Sequence, residues 1–200
     1  MSVITIVRKG TTCAIAADSL SCNGSTLHPR ENQRNDSKIV RLDEHCFGLV
    51  GYAAHGLVFE SLLERYPAKF DLRSKRHIFE SLLALHEVMK DNYFLQSADT
   101  VSGQPYESSQ IDFCLANSTG IYLIESYREV FEIDRFWSIG SGSDFALGAL
   151  QARYDDDSLD AEKLARLGVE AACKFNAYCR EPIDSFSIAL ALECADSPAV

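Results

Sequence analysis

The second residue of the chain combines two groups that together can cleave an amide. Ser2 follows an initiator methionine, which is normally removed ahead of a small residue, and its removal would leave Ser2 with a free α-amine beside its hydroxyl. An α-amine has a typical pKa of about 7.7–8.0, so roughly a third of it is neutral near pH 7.5, against about 0.1% of a lysine with a pKa of about 10.4. The amine is therefore the better general base by about two orders of magnitude, and Ser2 can serve as a nucleophile without a separate histidine.

Other catalytic patterns do not occur in the sequence. A G-x-S-x-G nucleophile elbow is excluded because Ile139 stands where the first glycine would precede Ser141, and there is no P-loop, H-E-x-x-H helix or EF-hand loop. The histidines show no i, i+4 pairing; they are His28, His45, His55, His77 and His86. A histidine-based triad stays open as an alternative that no pattern supports, and the charged neighbours of His77 and His86 predict surface positions for both.

Seven cysteines are present, and none has the spacing of a C-x-x-C pair or of a zinc finger. They are Cys13, Cys22, Cys46, Cys114, Cys173, Cys179 and Cys194. Their odd number and their apolar or small neighbours predict reduced thiols that pack as small hydrophobic side chains. The sequence therefore predicts neither a metal site nor a cofactor.

Composition limits the class of protein further. The chain has 200 residues, of which 46% are hydrophobic and 24% charged, so it can bury a core of its own. Its formal net charge of −10 argues against a nucleic-acid partner. No apolar run approaches the roughly 20 residues that cross a bilayer, and the first residues lack a secretory signal. We therefore expect one domain over residues 1–200 in a soluble, cytoplasmic protein without a membrane partner.

Hydrophobic periodicity divides the chain into strands and helices. The predicted strands are a pair within 3–18 around the turn at Lys9-Gly10, then 38–42, 46–50, 111–116, 121–124, 129–133, 136–139 and 186–192. Apolar residues three and four apart predict helices at 57–63, 78–85, 143–150 and 164–175, with Pro67 between the first two. Loops are predicted at 19–37, with room for a short strand, and at 91–109. The acidic run 155–157 places negative charge at the start of the last helix.

The order of these elements predicts the fold. Strands, two helices, strands, two helices and a final strand favour an α+β protein, a four-layer αββα sandwich of two antiparallel sheets flanked by helix pairs. Both inner sheet faces would be dry, which explains the nearly continuous apolar runs at 13–17 and 188–192. The last strand, 186–192, is accordingly expected to be buried.

The beginning of the chain resembles the mature start of proteasome β-type subunits, and of the HslV-type bacterial peptidase in particular. Residues 2–10 (SVITIVRKG) and 14–18 (AIAAD) match that pattern without a gap. The resemblance implies that Ser2 is the N-terminal nucleophile and that Asp18 is the acidic residue that follows the second strand in this family.

Three further segments extend the resemblance over almost the whole chain. Residues 35–42 (NDSKIVRL) are similar to the segment that carries the catalytic lysine, which implies Lys38. Residues 49–54 (LVGYAA) resemble the strand end whose glycine amide forms the oxyanion hole, which implies Gly51. The turn 139–143 (IGSGS) resembles the serine–glycine turn beside the nucleophile, which implies Ser141.

The resemblance also implies an activity and an assembly. It implies an N-terminal-nucleophile (Ntn) hydrolase fold and a threonine-type endopeptidase of a self-compartmentalised protease, which cleaves unfolded proteins in the cytoplasm. Such subunits form homo-oligomers of stacked rings, with six or seven members per ring both open here, and an ATP-dependent unfoldase is the partner that folded substrates would require. A charged Lys38, paired with Asp18, would lower the pKa of the Ser2 hydroxyl.

The chain departs from the family pattern at several positions. Serine stands in place of the usual threonine, and the loop 19–37 is longer than the common pattern. Asn176 and Cys179 stand where proteasome subunits carry an acid and a serine that support the amine. These departures leave open which side chains assist Ser2.

Alternatives remain for the function and for single residues. The chain could be a catalytically inactive ring subunit or a peptide-binding scaffold of the same fold, or an amide hydrolase that acts on small molecules. Asp18 and Lys38 could form a purely structural ion pair, Ser141 could be a helix N-cap, and Gly48 competes with Gly51 for the oxyanion hole.

Overall fold

The computed structural model describes residues 2–34, 37–96 and 105–191, which form eleven strands and four α-helices. The first strands are β1 (Ile4–Lys9), β2 (Thr12–Ala17), β3 (Ser21–Asn23), β4 (Thr26–His28), β5 (Ile39–Leu42) and β6 (His45–Val50). They are followed by α1 (Ala53–Arg65), α2 (Lys75–Tyr93), β7 (Asp112–Asn117), β8 (Gly120–Ile124), β9 (Val130–Ile133) and β10 (Phe136–Ile139). The last elements are α3 (Ser143–Arg153), α4 (Ala161–Phe175) and β11 (Asp184–Ala189).

Two antiparallel sheets form the centre of the molecule. One has four strands in the order β10-β1-β2-β11, the other has five in the order β5-β6-β7-β8-β9, and β3 pairs with β4 as a separate hairpin. Helices α1 and α2 pack on the outer face of the five-stranded sheet, whereas α3 and α4 pack on the four-stranded sheet. A third apolar layer lies between the two sheets. The predicted four-layer αββα sandwich is confirmed.

Strand β1 is buried on both faces because it lies in the middle of its sheet. Ile4 and Ile6 pack between the sheets, while Val3 and Val7 pack against α3 and α4, and all four are inaccessible to solvent. This double burial explains why the strand is almost continuously apolar. It also fixes the backbone at the start of β1, where Ser2 lies.

Gly48 in β6 brings the two sheets close together. A Cβ atom at this position would lie 2.6 Å from Cγ2 of Ile4 and 2.9 Å from Cδ1 of Ile15. These distances are shorter than a carbon–carbon contact allows, so a side chain here would push the sheets apart. Gly48 is therefore a packing glycine of the interior.

Helix α4 buries the apolar face that its three-and-four spacing of hydrophobic residues predicted. Its apolar face is buried through Leu164, Val169 and Ala172, and the Thr5 hydroxyl of β1 donates to the Ala165 carbonyl at 2.8 Å. Asp160 caps the helix by accepting from the Lys163 amide at 2.8 Å, so the cap lies beyond the predicted acidic run 155–157. No helix in the described ranges is both long and apolar enough to span a membrane.

Three expectations need correction. The last strand covers Asp184–Ala189, lies at the sheet edge and is half exposed, whereas a buried strand at 186–192 was predicted; Leu192 lies outside the described residues. An edge strand has a neighbour on one side only, which an apolar sequence does not reveal.

His86 is buried and contacts Glu107 at 3.2 Å, so its predicted surface position is wrong. The predicted loop 19–37 contains the two strands β3 and β4.

Candidate active site

A pocket of about 120 Å³ lies where β1 begins, β5 begins and β6 ends. Three of the five residues predicted for catalysis line it, namely Ser2, Lys38 and Gly51. Ser2 is only 6% exposed, so the predicted nucleophile belongs to the wall of a cavity and does not extend into solvent. The fold thus brings together residues that are far apart in the sequence.

Asp18 and Lys38 form an ion pair at one side of this pocket. The Lys38 Nζ donates to Asp18 Oδ1 at 2.7 Å and to the Leu20 carbonyl at 2.7 Å. The Asp18 side chain is fully buried and that of Lys38 is 13% exposed. Two of the three ammonium protons thus have partners among the residues that the structure describes, and a group in the pocket could accept the third.

The Asp18 carboxylate also ties three segments of backbone together. Its Oδ1 accepts from the Val3 amide at 2.9 Å, and its Oδ2 accepts from the Leu20 amide at 3.1 Å and from the Arg180 amide at 3.2 Å. Because Val3 follows Ser2 directly, the carboxylate orients both Ser2 and Lys38. The structural and the catalytic interpretations of this ion pair are therefore compatible.

The turn between β10 and α3 holds the Ser2 carbonyl from the other side. The Gly142 amide donates to the Ser2 carbonyl at 3.3 Å, and the Ser141 hydroxyl donates to it at 3.4 Å. Gly140 has φ +96°, and a Cβ atom there would overlap the Ser2 carbonyl. The N-cap of α3 is Gly142, so the alternative that Ser141 caps this helix is wrong.

Gly51 occupies the junction between β6 and α1 at the edge of the pocket. Its φ of +109° is accessible to glycine and strained for any other residue. Gly48, the competing candidate, contacts Ile4 and Ile15 in the interior and does not line the pocket. Of the two glycines, Gly51 is the one that can offer its amide to a ligand beside Ser2.

Comparison with known proteins identifies the family to which this arrangement belongs. The family model described as proteasome subunit matches residues 2–184, nearly the whole chain. The chain belongs to the proteasome subunit family. It is a proteasome β-type, HslV-like Ntn hydrolase of the peptidase type, as the sequence resemblance predicted.

Individual members of the family agree with this assignment. The chain is 24% identical to the ATP-dependent protease subunit HslV of Caldicellulosiruptor saccharolyticus over 91% of this chain and 95% of that protein. Among solved structures, Thiobacillus denitrificans BPH is 36% identical with a TM-score of 0.87, over 94% of this chain and 98% of that one. HslV of Trypanosoma brucei, at 21% identity and a TM-score of 0.71, covers 94% of this chain and 99% of its own and shares the fold.

Two side chains that depart from the family pattern lie behind the Ser141 turn. Asn176 follows α4, and its Nδ2 donates to the Ser141 carbonyl at 2.6 Å. Cys179 is buried against Gly142, where an added Cβ would lie 2.8 Å from its Sγ. Burial above all, and then the Asp18 carboxylate, raises the pKa of Cys179 to about 12, so the thiol stays neutral. Both residues therefore support the turn without adding a charge.

The hairpin β3–β4, within the segment 19–37, supplies part of the pocket wall. Ser21 and Cys22 line the pocket together with Lys38 and with the apolar residues Val40 and Leu49. The sequence allowed one short strand within 19–37, and the structure has two, because small polar residues are typical of loops and hide a short hairpin. The described wall is thus partly polar and partly apolar.

Replacing Gly140 with alanine is expected to destabilise this family member. The positive φ and the overlap with the Ser2 carbonyl both oppose a side chain, so the free energy of unfolding should fall by at least about 2 kcal/mol. Gly148 in α3 is the matched control because nothing lies within 4 Å of a Cβ built there. Gly148→Ala should raise stability by about 0.5–1 kcal/mol. Denaturant titration of the wild type and the two variants measures both changes. Equal stability of the two variants would contradict the close contact between Gly140 and the Ser2 carbonyl.

Proposed function

We propose that the chain is the peptidase subunit of a self-compartmentalised protease and that Ser2 is its nucleophile once Met1, which lies outside the described residues, has been removed. The observation that carries this proposal is the shared pocket of Ser2, Lys38 and Gly51. Each supplies a group that amide hydrolysis needs: a hydroxyl with an amine on the same residue, a fixed positive charge and a backbone N–H.

The proposed reaction proceeds in two steps through an ester. The Ser2 Oγ attacks the peptide carbonyl while the Ser2 α-amine takes the hydroxyl proton through a water molecule, and the C–N bond breaks as that proton passes to the leaving amine. The remaining acyl group is an ester of Ser2. A water molecule then attacks the ester and gives one proton to the α-amine, and this proton passes to the Ser2 Oγ as the ester C–O bond breaks, which releases the carboxylic acid and restores the Ser2 hydroxyl and the neutral amine.

The surrounding residues stabilise the charges that develop in this reaction. The Gly51 amide donates to the oxyanion of the tetrahedral intermediate, an interaction that is typically worth about 2.7–4 kcal/mol. The Lys38 ammonium, held by Asp18 at 2.7 Å, favours the negative charge that forms on the Ser2 Oγ. Ser141 and Gly142 hold the Ser2 carbonyl and so fix the orientation of the attacking residue. Asp18 and Ser141 are thus positioning residues for the nucleophile.

Assembly and partners follow from the relatives as further parts of the proposal. Two relatives are ATP-dependent protease subunits, so we propose a homo-oligomer of stacked rings of six or seven subunits that cleaves unfolded polypeptides in the cytoplasm with an ATP-dependent unfoldase. Ring formation buries one surface against a different surface of the next copy and closes by rotation. Native mass spectrometry tests this part, because it counts copies of the 22.2 kDa chain directly.

Epoxomicin is expected to bind in the pocket of Ser2, since it was found in complex with Thiobacillus denitrificans BPH, which is 36% identical. At a concentration one hundred times its Kd, a ligand stabilises the folded state by about 2.7 kcal/mol. For a chain of this size that corresponds to a rise in Tm of roughly 5–10 °C.

A substitution in the pocket wall controls for binding elsewhere. Cys22→Trp adds a bulky ring to the half-exposed wall and should cancel the rise in Tm while leaving the Tm of the free protein nearly unchanged. A full shift in the Cys22→Trp protein would show that epoxomicin binds at another place.

A further inference from the structure

A histidine that the proposed mechanism does not use lies directly behind Gly51. A Cβ atom built on Gly51 would be 3.0 Å from Nδ1 and 3.3 Å from Cε1 of His55, so the imidazole fills the space where a side chain would be. The His55 amide donates to the Tyr52 carbonyl at 2.9 Å. The side-chain rings of Tyr52 and His55 pack edge to face, with their centroids 5.6 Å apart. His55 lies in the first turn of α1, and this position places its ring against Gly51.

The same imidazole acts on the residue before Gly51. Burial lowers the pKa of His55, whereas the Val50 backbone and the Asp112 carboxylate act in the opposite direction. Asp112 is the partner of Val50 in the β6–β7 ladder, so its charge acts on the ring from the neighbouring strand. The His55 ring thus lies against Gly51 at the end of the Val50–Gly51 peptide, the unit whose N–H belongs to Gly51.

The Val50–Gly51 peptide lies at the end of β6, where the regular hydrogen bonds of the sheet no longer hold the backbone in place. Strand β6 ends at Val50, and α1 begins at Ala53, so Gly51 lies between the two regular hydrogen-bonding patterns. Glycine has more conformational freedom than any other residue, and its φ of +109° is one of several conformations open to it. An amide that must meet a developing oxyanion is useful only when it is held in place before the reaction.

We propose that His55 is a positioning residue that holds the Val50–Gly51 peptide in the orientation in which the Gly51 amide faces the pocket. The inference rests on the proposed function, since it assigns the Gly51 amide to the oxyanion. His55 does not contact the substrate; it acts through the peptide that it packs against. Its removal should therefore impair stabilisation of the tetrahedral intermediate while leaving substrate binding unchanged.

The kinetic test uses His55→Ala with His45→Ala as the matched control. His45 is the first residue of β6, the strand that ends next to Gly51. Its Nδ1, like that of His55, is buried without a hydrogen-bond partner among the described residues. We expect kcat for a fluorogenic peptide to fall at least about tenfold in the His55→Ala enzyme, with KM unchanged, because small misplacements of a catalytic group are costly. The His45→Ala enzyme should keep both constants.

Two inhibitors separate a positioning role from general damage to the pocket. A peptide aldehyde adds to the serine hydroxyl and places an oxyanion-like oxygen in the hole, whereas the matching peptide alcohol cannot. His55→Ala should weaken binding of the aldehyde by about the factor lost in kcat and leave binding of the alcohol unchanged. His55→Gln keeps a planar side chain that can fill part of the space beside Gly51 and should recover part of the loss. Equal weakening for both inhibitors, or unchanged kcat, contradicts the inference.

Hydrogen exchange measured by mass spectrometry tests the inference without turnover. In the His55→Ala protein, amides of the segment 50–56 should exchange at least about tenfold faster than in the wild type, while the His45→Ala protein shows no change there. If exchange of this segment is the same in all three proteins, His55 does not hold the peptide, whether or not the enzyme is active. A wild-type enzyme that neither cleaves peptides nor binds the aldehyde contradicts the proposed function instead, and with it the catalytic part of this inference.

Discussion

Replacing Ser2 with alanine is expected to lower kcat for a fluorogenic peptide by at least about a thousandfold, because no other described hydroxyl in the pocket combines with an α-amine on the same residue. Turnover of unfolded casein should be lost in parallel. Stability should change little, since Ser2 is held through its backbone carbonyl by Ser141 and Gly142, and alanine retains that carbonyl. Peptide hydrolysis and thermal unfolding of the wild-type and Ser2→Ala proteins measure the two effects separately.

The matched control for this prediction is Ser2→Thr. Threonine keeps the hydroxyl and adds a methyl group that restricts χ1, so the variant should retain at least about a tenth of the wild-type kcat. Intact mass of each protein is measured first, because retained Met1 would block the amine and favour an inactive ring subunit. Equal rates for wild type and Ser2→Ala, in proteins that lack Met1, would falsify the assignment of the nucleophile.

Replacing Lys38 with alanine is expected to damage both activity and stability. Removal of the ammonium leaves the Asp18 carboxylate buried with backbone amides as its remaining partners among the described residues. Losing one partner of a buried ion pair typically costs about 3–5 kcal/mol of unfolding free energy, and the backbone donors place this case near the lower end. kcat should fall by about a thousandfold or more, since the proposed function uses the positive charge that Lys38 brings to the pocket of Ser2.

A surface lysine provides the control for the Lys38 variant. Lys90 pairs with Glu107 at 2.6 Å, but both side chains are well exposed, so Lys90→Ala should cost less than about 1 kcal/mol and leave kcat unchanged. The double variant Asp18→Asn/Lys38→Met removes both charges, but the amide nitrogen of asparagine must face backbone N–H groups from which the carboxylate accepts, so little stability should be recovered and activity should stay lost. Recovery of turnover in the double variant would mean that the pair serves the fold alone.

Much of the layered fold could be predicted from local patterns. Strand β1 is almost continuously apolar and helix α4 carries hydrophobic residues three and four apart, and in the structure these residues are buried. The wrong predictions concern residues whose surroundings are formed by other parts of the chain. The exposure of β11 depends on its being at a sheet edge, the burial of His86 depends on Glu107 from a distant segment, and the cap at Asp160 depends on where α4 begins. None of these is a property of a short stretch of sequence.

The candidate site was predictable to a different degree. The chemistry of Ser2 follows from its own hydroxyl and amine, but Lys38, Gly51 and Ser141 were assigned through resemblance to a family. His55 was not singled out, although its position four residues after Gly51 at the start of a helix would place it one turn away. That signal is weak because it requires knowing that α1 begins at Ala53.

The sequence by itself determined the order of the elements, the dry interior and the reactive pair on Ser2, because these depend on residue type and on periodicity along the chain. Only the tertiary structure decided that Gly51 borders the pocket while Gly48 packs inside, and that Lys38 reaches Asp18 at 2.7 Å. The physical reason is that a pocket is formed by segments from several strands and loops. Their distances depend on sheet register and on packing between layers, to which residues far apart in the chain contribute jointly.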